Sequence, residues 1–128
     1  DLELLEGPSP GKGTFCFISV SFENALGGFS SLGERGKPAE AVADDACESF
    51  LSYLRSGGAI EEHLADQLVI FAALAKGGTS FTTSRVTEHL LTNIWVVQQF
   101  LPIEIRRDGE LGQAGRVQVE GAGVEAGE

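Results

Sequence analysis

One stretch of the sequence, residues 60–75, constrains the fold more than any other because its polarity changes halfway along. Its second half, residues 68–75, is apolar on every side of a helix, which is typical of a deeply buried helix. Its first half carries His63, Asp66 and Gln67 at helical spacing, so these three side chains share one face. The stretch therefore predicts a helix with a polar beginning and a buried end.

The rest of the sequence alternates between strands and helices with short connections. Residues 14–22 alternate in polarity and predict a strand, and residues 28–32 predict its return strand. Helical spacing from Ala39, with Cys47 on the apolar stripe, predicts a helix that ends at Ser56-Gly57-Gly58. The later elements are a helix end at Lys76-Gly77-Gly78, a strand at 79–83, a helix from the N-cap candidate Thr87 to about Leu101, and strands at 103–107 and 117–119. This pattern predicts the α/β (α+β) fold class.

The composition narrows the possible functions. The 128 residues carry 19 acidic and 9 basic side chains, a formal net charge of −10. A module that coats DNA or RNA carries a basic patch instead, although a local phosphate site is compatible with this charge. Cys16 and Cys47 are too few for a disulfide scaffold or a zinc site of about four ligands, and they favour a reducing compartment. No apolar run reaches about 18 residues, so no membrane span is predicted.

The sequence GKGT at residues 11–14 resembles part of a phosphate-binding loop. That motif needs a glycine five residues before its Gly-Lys pair, and Glu6 stands at this position. We therefore interpret residues 11–14 as a turn.

The polar group of His63, Asp66 and Gln67 has two interpretations. It is a solvated face at a helix start, where Asp66 interacts favourably with the positive end of the dipole, or it is a ligand-binding edge. In the second case the imidazole ring stacks on a ligand while Asp66 and Gln67 form directional hydrogen bonds. This chemistry suits a nucleoside better than a metal, because no second histidine lies nearby.

His89 lies near the start of the predicted third helix. The positive end of the helix dipole disfavours the charged imidazolium there and keeps the ring neutral. A neutral imidazole serves as a nucleophile or base, and the free N–H groups of the same helix end bind phosphate oxygens. The alternative is a surface or capping histidine without a chemical role.

Three segments of the chain closely resemble RNA 3′-terminal phosphate cyclases: SSLGERGKPAE (30–40), EEHLADQLVIFAALAKGG (61–78) and TEHLLTNIWVVQQFLP (87–102). They cover most of residues 14–106 in the order and spacing of the family. Together with the absence of methionine, at position 1 too, the resemblance implies the C-terminal third or so of such an enzyme. It implies the C-terminal part of a small inserted α/β domain at residues 1–58, the last helix–strand unit of the catalytic domain at 59–120, and a disordered tail at 121–128.

The resemblance also implies a reaction with ATP and RNA 3′-phosphate ends as partners. The nucleophilic histidine of the family falls on His89, which attacks the α-phosphorus of ATP and becomes a covalent histidine–AMP. The AMP passes to the RNA 3′-phosphate, and the neighbouring 2′-hydroxyl then closes a 2′,3′-cyclic phosphate. The nucleotide-binding stretch falls on His63, Leu64, Ala65, Asp66 and Gln67; some relatives carry tyrosine where His63 stands, and histidine stacks with less area.

The resemblance has implications for the cellular compartment and the divalent cation as well. The resemblance implies a cytoplasmic enzyme that needs no membrane, and a divalent cation (Mg²⁺ or Mn²⁺) held mainly by residues outside this chain, with no metal ligand within it. Pseudoenzyme relatives lack the nucleophile, so His89 favours the cyclase over a non-catalytic nucleotide- or RNA-binding scaffold protein on the same fold. An acidic α/β domain without a nucleotide role is the third hypothesis.

We predict that the 128-residue chain alone is catalytically inactive or nearly so. Nucleotidyl transfer needs positive groups to absorb phosphate charge, whereas Arg35, Arg85, Arg106 and Arg107 are scattered along this sequence. By resemblance, the phosphate-binding arginines and the metal-binding carboxylate belong to the N-terminal remainder of the enzyme. The measurement is cyclisation of an RNA 3′-phosphate by the purified chain with ATP and Mg²⁺, and sizeable turnover would contradict the prediction.

Overall fold

The computed structural model describes residues 1–23 and 25–124, and part of the predicted tail, residues 125–128, lies outside this range. The elements are β1 (Phe15–Ser21), β2 (Leu26–Leu32), α1 (Ala39–Ser56), α2 (Glu62–Leu74), β3 (Lys76–Thr83), α3 (Glu88–Phe100), β4 (Ile105–Asp108) and β5 (Gly115–Ala122). This mixture of helices and antiparallel sheets confirms the α+β class. The chain divides into two compact units between Leu51 and Ser52, inside α1, whereas the sequence placed a domain boundary after residue 58.

The first unit combines the β1–β2 hairpin with the first part of α1. The strands pair antiparallel from Phe15 opposite Leu32 to Ser21 opposite Leu26. Phe29 is buried, and its ring centroid lies 5.3 Å from that of Phe50 on α1. This aromatic contact anchors the helix to one face of the hairpin.

The buried stripe of α1 is narrower than its sequence suggests. Val42 and Ala46 are buried and Phe50 is half-buried, a spacing of four residues that follows one line along the helix. Cys47 is exposed, so its predicted burial is wrong. It lies about 100° around the helix from Ala46, outside the face that the hairpin covers. Lys37, which lies before α1, donates to Asp45 on this helix, and this hydrogen bond holds the pKa of that carboxyl below its ordinary value.

The second unit contains a three-stranded sheet in the order β3-β5-β4. Strand β5 pairs antiparallel with both neighbours, so that Val119 lies between Thr79 on β3 and Ile105 on β4. Strands β3 and β4 therefore run parallel to each other, and α3 connects them across the intervening strand. This is the split β-α-β arrangement.

The core of the second unit lies between the sheet and helices α2 and α3. Alternate residues of β5 point inward, and Val117 and Val119 are buried. Their partners on the helices are the regularly spaced apolar residues Val69, Ala72, Ala73, Leu90, Ile94 and Val97. The predicted stripe of α3 is thus confirmed for its first three members, and Leu101 packs at the margin of the core.

Both helices run in the same direction because each lies antiparallel to β3, which α2 precedes and α3 follows. Just before α2, the N–H of Ile60 donates to the carbonyl of Thr82 (2.9 Å), and the N–H of Ser84 donates to the carbonyl of Ile60 (2.8 Å). Gly58 makes this approach possible, since a Cβ at that position would overlap the backbone of Thr83 and Ser84. The beginning of α2 is thereby held beside the end of β3.

The solvent-exposed faces of α2 and α3 carry large apolar side chains in the second half of each helix. Helix α2 ends at Leu74, and Ile70, Phe71 and Leu74 are exposed, so deep burial of the whole second half is wrong for the described residues. Trp95 and Phe100 on α3 are exposed in the same way. The reason is that the sheet covers only one side of the helix pair. No helix among residues 1–23 and 25–124 combines the length and apolar character that crossing a membrane requires.

Two chain segments that the sequence assigned elsewhere belong to the sheet. Lys76–Gly78 starts β3 rather than ending a helix, and Gly121 and Ala122 continue β5 rather than opening a disordered tail. They pair with each other, Gly77 opposite Gly121 and Lys76 opposite Ala122. Gly121 packs so closely on the carbonyl of Ala75 that a Cβ would overlap it. Gly121 thus permits close packing in a segment whose glycine content indicated disorder.

Substitution of Leu90 by alanine is expected to lower the free energy of unfolding by about 2–5 kcal/mol, because it opens a cavity at a fully buried position. Leu111→Ala is the matched control, since that side chain is 52% exposed and the change is expected to stay within about 0.5 kcal/mol. Urea unfolding of both variants measures the difference. Equal losses would show that Leu90 is not part of the core.

Candidate functional site

The two segments that carry the predicted site residues meet at the beginnings of α2 and α3. Asn93 donates from its Nδ2 to the backbone carbonyl of Asp66, at 3.3 Å. Both residues lie about one turn into their helices. Because the helices run in the same direction, this bond brings their first turns side by side.

The first turn of α2 is anchored by its N-cap residue, Glu61. The Glu61 carboxylate accepts hydrogen bonds from the N–H groups of His63 (2.9 Å) and Leu64 (3.2 Å). These bonds satisfy donors that have no partner within the helix. The His63 side chain stays 77% exposed, so its ring is accessible while its backbone is held.

The five residues of the predicted nucleotide-binding stretch differ in exposure. His63 and Gln67 are exposed, Leu64 is 40% exposed and Asp66 is half-buried. Ala65 is completely buried in the core. Four of the five residues are therefore at least partly exposed at the start of α2. Ala65 packs this turn against the rest of the protein.

The first turn of α3 has a side-chain cap. Thr87 is its N-cap and accepts through Oγ1 from the N–H of Leu90 (3.1 Å), which confirms the predicted start. The N–H groups of Glu88 and His89 precede the first intrahelical hydrogen bonds and point out of the helix end. His89 is the second residue of α3 and is exposed. Its ring therefore lies at the mouth of the helix rather than in packed hydrocarbon.

An ion pair that the sequence analysis missed links the two helix starts. Arg85, just before α3, donates from Nε to Glu62 and from Nη2 to the other oxygen of the same carboxylate (2.7 Å). Such a pair of parallel hydrogen bonds between one guanidinium and one carboxylate, here called a fork, matches the planar geometry of both groups. The two residues are 23 positions apart, so no helical or strand periodicity in the sequence could have signalled the contact.

Glu61, Glu62 and His63 together offer ligand atoms within 4.8 Å of one another. The Nε2 atom of His63 lies 3.9 Å from a carboxylate oxygen of each glutamate. However, Glu61 caps the helix and Glu62 holds Arg85. A metal ion at this place would have to compete with Arg85 for the carboxylate of Glu62.

A second arginine–carboxylate fork lies away from the helix starts. Arg106 on β4 donates to both oxygens of Glu104, at 2.9 and 3.1 Å. The hydrogen bonds lower the pKa of Glu104 and raise that of Arg106. Both side chains are largely exposed, and the pair lies at the start of β4.

Two parallel helices on a split β-α-β sheet, with an exposed histidine at each helix start, define an α+β protein with a candidate site at the helix beginnings. Comparison with known proteins then identifies the family. The family model for RNA 3′-terminal phosphate cyclase matches residues 6–107, and the chain belongs to this family.

Individual relatives agree with the family match. The chain is 39% identical over 118 residues to an RNA 3′-terminal phosphate cyclase of Pyrobaculum neutrophilum, a match that covers 92% of the chain and 33% of the relative. It is 47% identical over 88 residues to that of Methylococcus capsulatus, covering 69% and 24%, and 42% identical over 119 residues to that of Thermococcus onnurineus, covering 93% and 34%. The chain therefore spans about a third or less of the length of these curated relatives.

Substitution of Thr87 by alanine is expected to lower the free energy of unfolding by about 1 kcal/mol, because the N–H of Leu90 loses its acceptor. Thr87→Ser keeps the hydroxyl and is expected to retain most of that stability. Thr92→Ala removes the same atoms at an exposed helix position and is expected to be neutral or slightly stabilising. Urea unfolding measures all three, and equal stability of the two Thr87 variants would contradict the capping role.

Proposed function

We propose that the gene product to which these residues belong uses ATP to convert an RNA 3′-terminal phosphate into a 2′,3′-cyclic phosphate, with His89 as the nucleophile. The observation that carries the proposal is the bond between Asn93 and Asp66, which brings the starts of α2 and α3 together. His63 and His89, the two histidines of the chain, are exposed at these starts. Membership of the cyclase family supports the same reaction.

The first step is attack by an imidazole nitrogen of His89 on the α-phosphorus of ATP. A nitrogen–phosphorus bond forms, the bond to the bridging oxygen breaks, and pyrophosphate leaves. A neutral imidazole is a nitrogen nucleophile, and the exposed ring of His89 in the first turn is accessible to the phosphorus. The outward N–H groups of this turn are suited to hydrogen-bond the phosphate oxygens as their charge grows.

Two further transfers complete the reaction. An oxygen of the RNA 3′-phosphate attacks the same phosphorus, which releases His89 and leaves AMP joined to the RNA end through a phosphoanhydride. The oxygen of the neighbouring 2′-hydroxyl attacks the RNA phosphorus, and the hydroxyl proton passes to solvent. AMP then leaves and the 2′,3′-cyclic phosphate is formed. His89 returns to its starting state.

The start of α2 suits the nucleoside part of ATP. The exposed ring of His63 offers a stacking surface, and the adjacent Leu64 adds apolar area. Asp66 and Gln67 offer directional hydrogen bonds to a base or ribose. We assign Ala65 a supporting role, because its burial holds this turn on the core.

A divalent cation, when bound, supplies positive charge that stabilises the transferring phosphate. Both oxygens of Glu62 are engaged by Arg85, and one oxygen of Glu61 caps the start of α2. We therefore assign the cation no ligand among residues 1–23 and 25–124. Its ligands and the additional phosphate-binding cations belong to other parts of the enzyme.

Incubation of the complete gene product with α-labelled ATP is expected to place an acid-labile label on His89. His89→Ala is expected to abolish the label, because it removes the nitrogen that bonds to phosphorus. Peptide mapping and autoradiography measure the result. A label at wild-type level in His89→Ala would overturn the assignment of the nucleophile.

His63→Ala is the matched histidine control. It is expected to keep the label at saturating ATP but to require about tenfold more ATP, since stacking on a base is worth about 1–3 kcal/mol. Nucleotide binding without any label would favour a non-catalytic scaffold protein. Absence of ATP-induced protection from hydrogen exchange around residues 63–67 would exclude a nucleotide role for α2.

A further inference from the structure

The fork between Glu62 and Arg85 occupies a particular place in the candidate site. Glu62 immediately precedes His63, and Arg85 lies four positions before His89. The Glu62 side chain is 18% exposed and the Arg85 side chain 54% exposed. The ion pair thus connects the two backbone segments that carry the exposed histidines.

The two connections between the helix starts act at different levels. The bond from Asn93 to Asp66 lies about one turn into the helices, whereas the fork joins the first residue of α2 to the loop that leads into α3. Two connections separated along the helix axis restrict both sliding and rotation of one start relative to the other. They add to the restraint from the core, in which Val69 of α2 and Leu90 of α3 belong to one buried cluster.

The fork also limits how the charges of Glu62 and Arg85 act on an approaching phosphate. With both carboxylate oxygens engaged, Glu62 repels an approaching phosphate less than a free glutamate would. Arg85 uses its Nε and Nη2 donors on the carboxylate, so this edge of its guanidinium is not available to a phosphate. Its geometry therefore favours a role in positioning over direct contact with the substrate.

We propose that Glu62 and Arg85 are a positioning pair that sets the distance between the nucleoside-binding start of α2 and the nucleophile His89 on α3. This inference rests on the proposed function. The pair acts through His63 and His89 and does not touch the substrate. Because transfer to phosphorus depends steeply on the approach of the nucleophile, loosening the pair slows the chemical step more than it weakens ATP binding.

The test measures label transfer from α-labelled ATP to His89 in the complete gene product, as a function of ATP concentration. Glu62→Gln and Arg85→Gln are each expected to reduce the rate at saturating ATP by about ten- to a hundredfold, while the half-saturating ATP concentration changes by less than about threefold. The double variant is expected to be no slower than the worse single variant, because the two residues act as one unit.

Two further variants distinguish the loss of this fork from the loss of a positive charge and from the loss of an unrelated ion pair. Arg85→Lys keeps the charge but not the fork and is expected to restore only part of the rate. Arg106→Gln breaks the comparable fork with Glu104 on β4 and is expected to leave both parameters unchanged. Thermal unfolding of all variants is expected to stay close to the wild type, since ion pairs that reach the solvent contribute about 1 kcal/mol or less to stability.

Several outcomes would overturn the inference alone. These are wild-type rates in both single variants, losses that multiply in the double variant, or a change confined to the half-saturating ATP concentration. A rate loss in Arg106→Gln equal to that in Arg85→Gln would also overturn it. Absence of label from the wild-type protein would instead overturn the proposed function, and the positioning role with it.

Discussion

The rest of the structure depends on the packing of two parallel helices against one face of a short sheet. Val69 on α2 and Leu90 on α3 are both completely buried in the cluster that contains Val117 of β5. Since both helices lie antiparallel to β3, both begin at the end of the sheet where β3 ends. The hydrogen bond from Asn93 to Asp66 then holds these beginnings together. The location of one histidine at each of the two helix starts follows from this arrangement of the backbone.

The sequence predicted those parts of the fold that depend on local spacing. The positions of Leu90, Ile94 and Val97 indicate the buried side of α3, and Thr87 indicates its start; the structure confirms both. Spacing identifies residues that share a face, but it does not reveal whether another element covers that face. Cys47 and Phe71 are exposed for this reason, although their neighbours on the same helices are buried.

Only part of the candidate site could be predicted from the sequence. Helical periodicity placed His63, Asp66 and Gln67 on one side of α2, because their spacing is short. The contacts of Arg85 with Glu62 and of Asn93 with Asp66 join residues more than 20 positions apart, and only the tertiary fold brings them together. The prediction of disorder is wrong for Gly121 and Ala122 because glycine-rich composition resembles disorder, whereas here Gly121 allows β5 to approach α2 closely.

The exposure of Trp95 gives the protein an intrinsic optical reporter. It is the sole tryptophan of the chain, it is 63% exposed, and it lies on the same helix as His89. Its fluorescence therefore arises from one known location, without interference from a second indole. Any chain segment or molecule that covers this side of α3 would transfer the indole from water to a less polar environment and shift its emission to shorter wavelength.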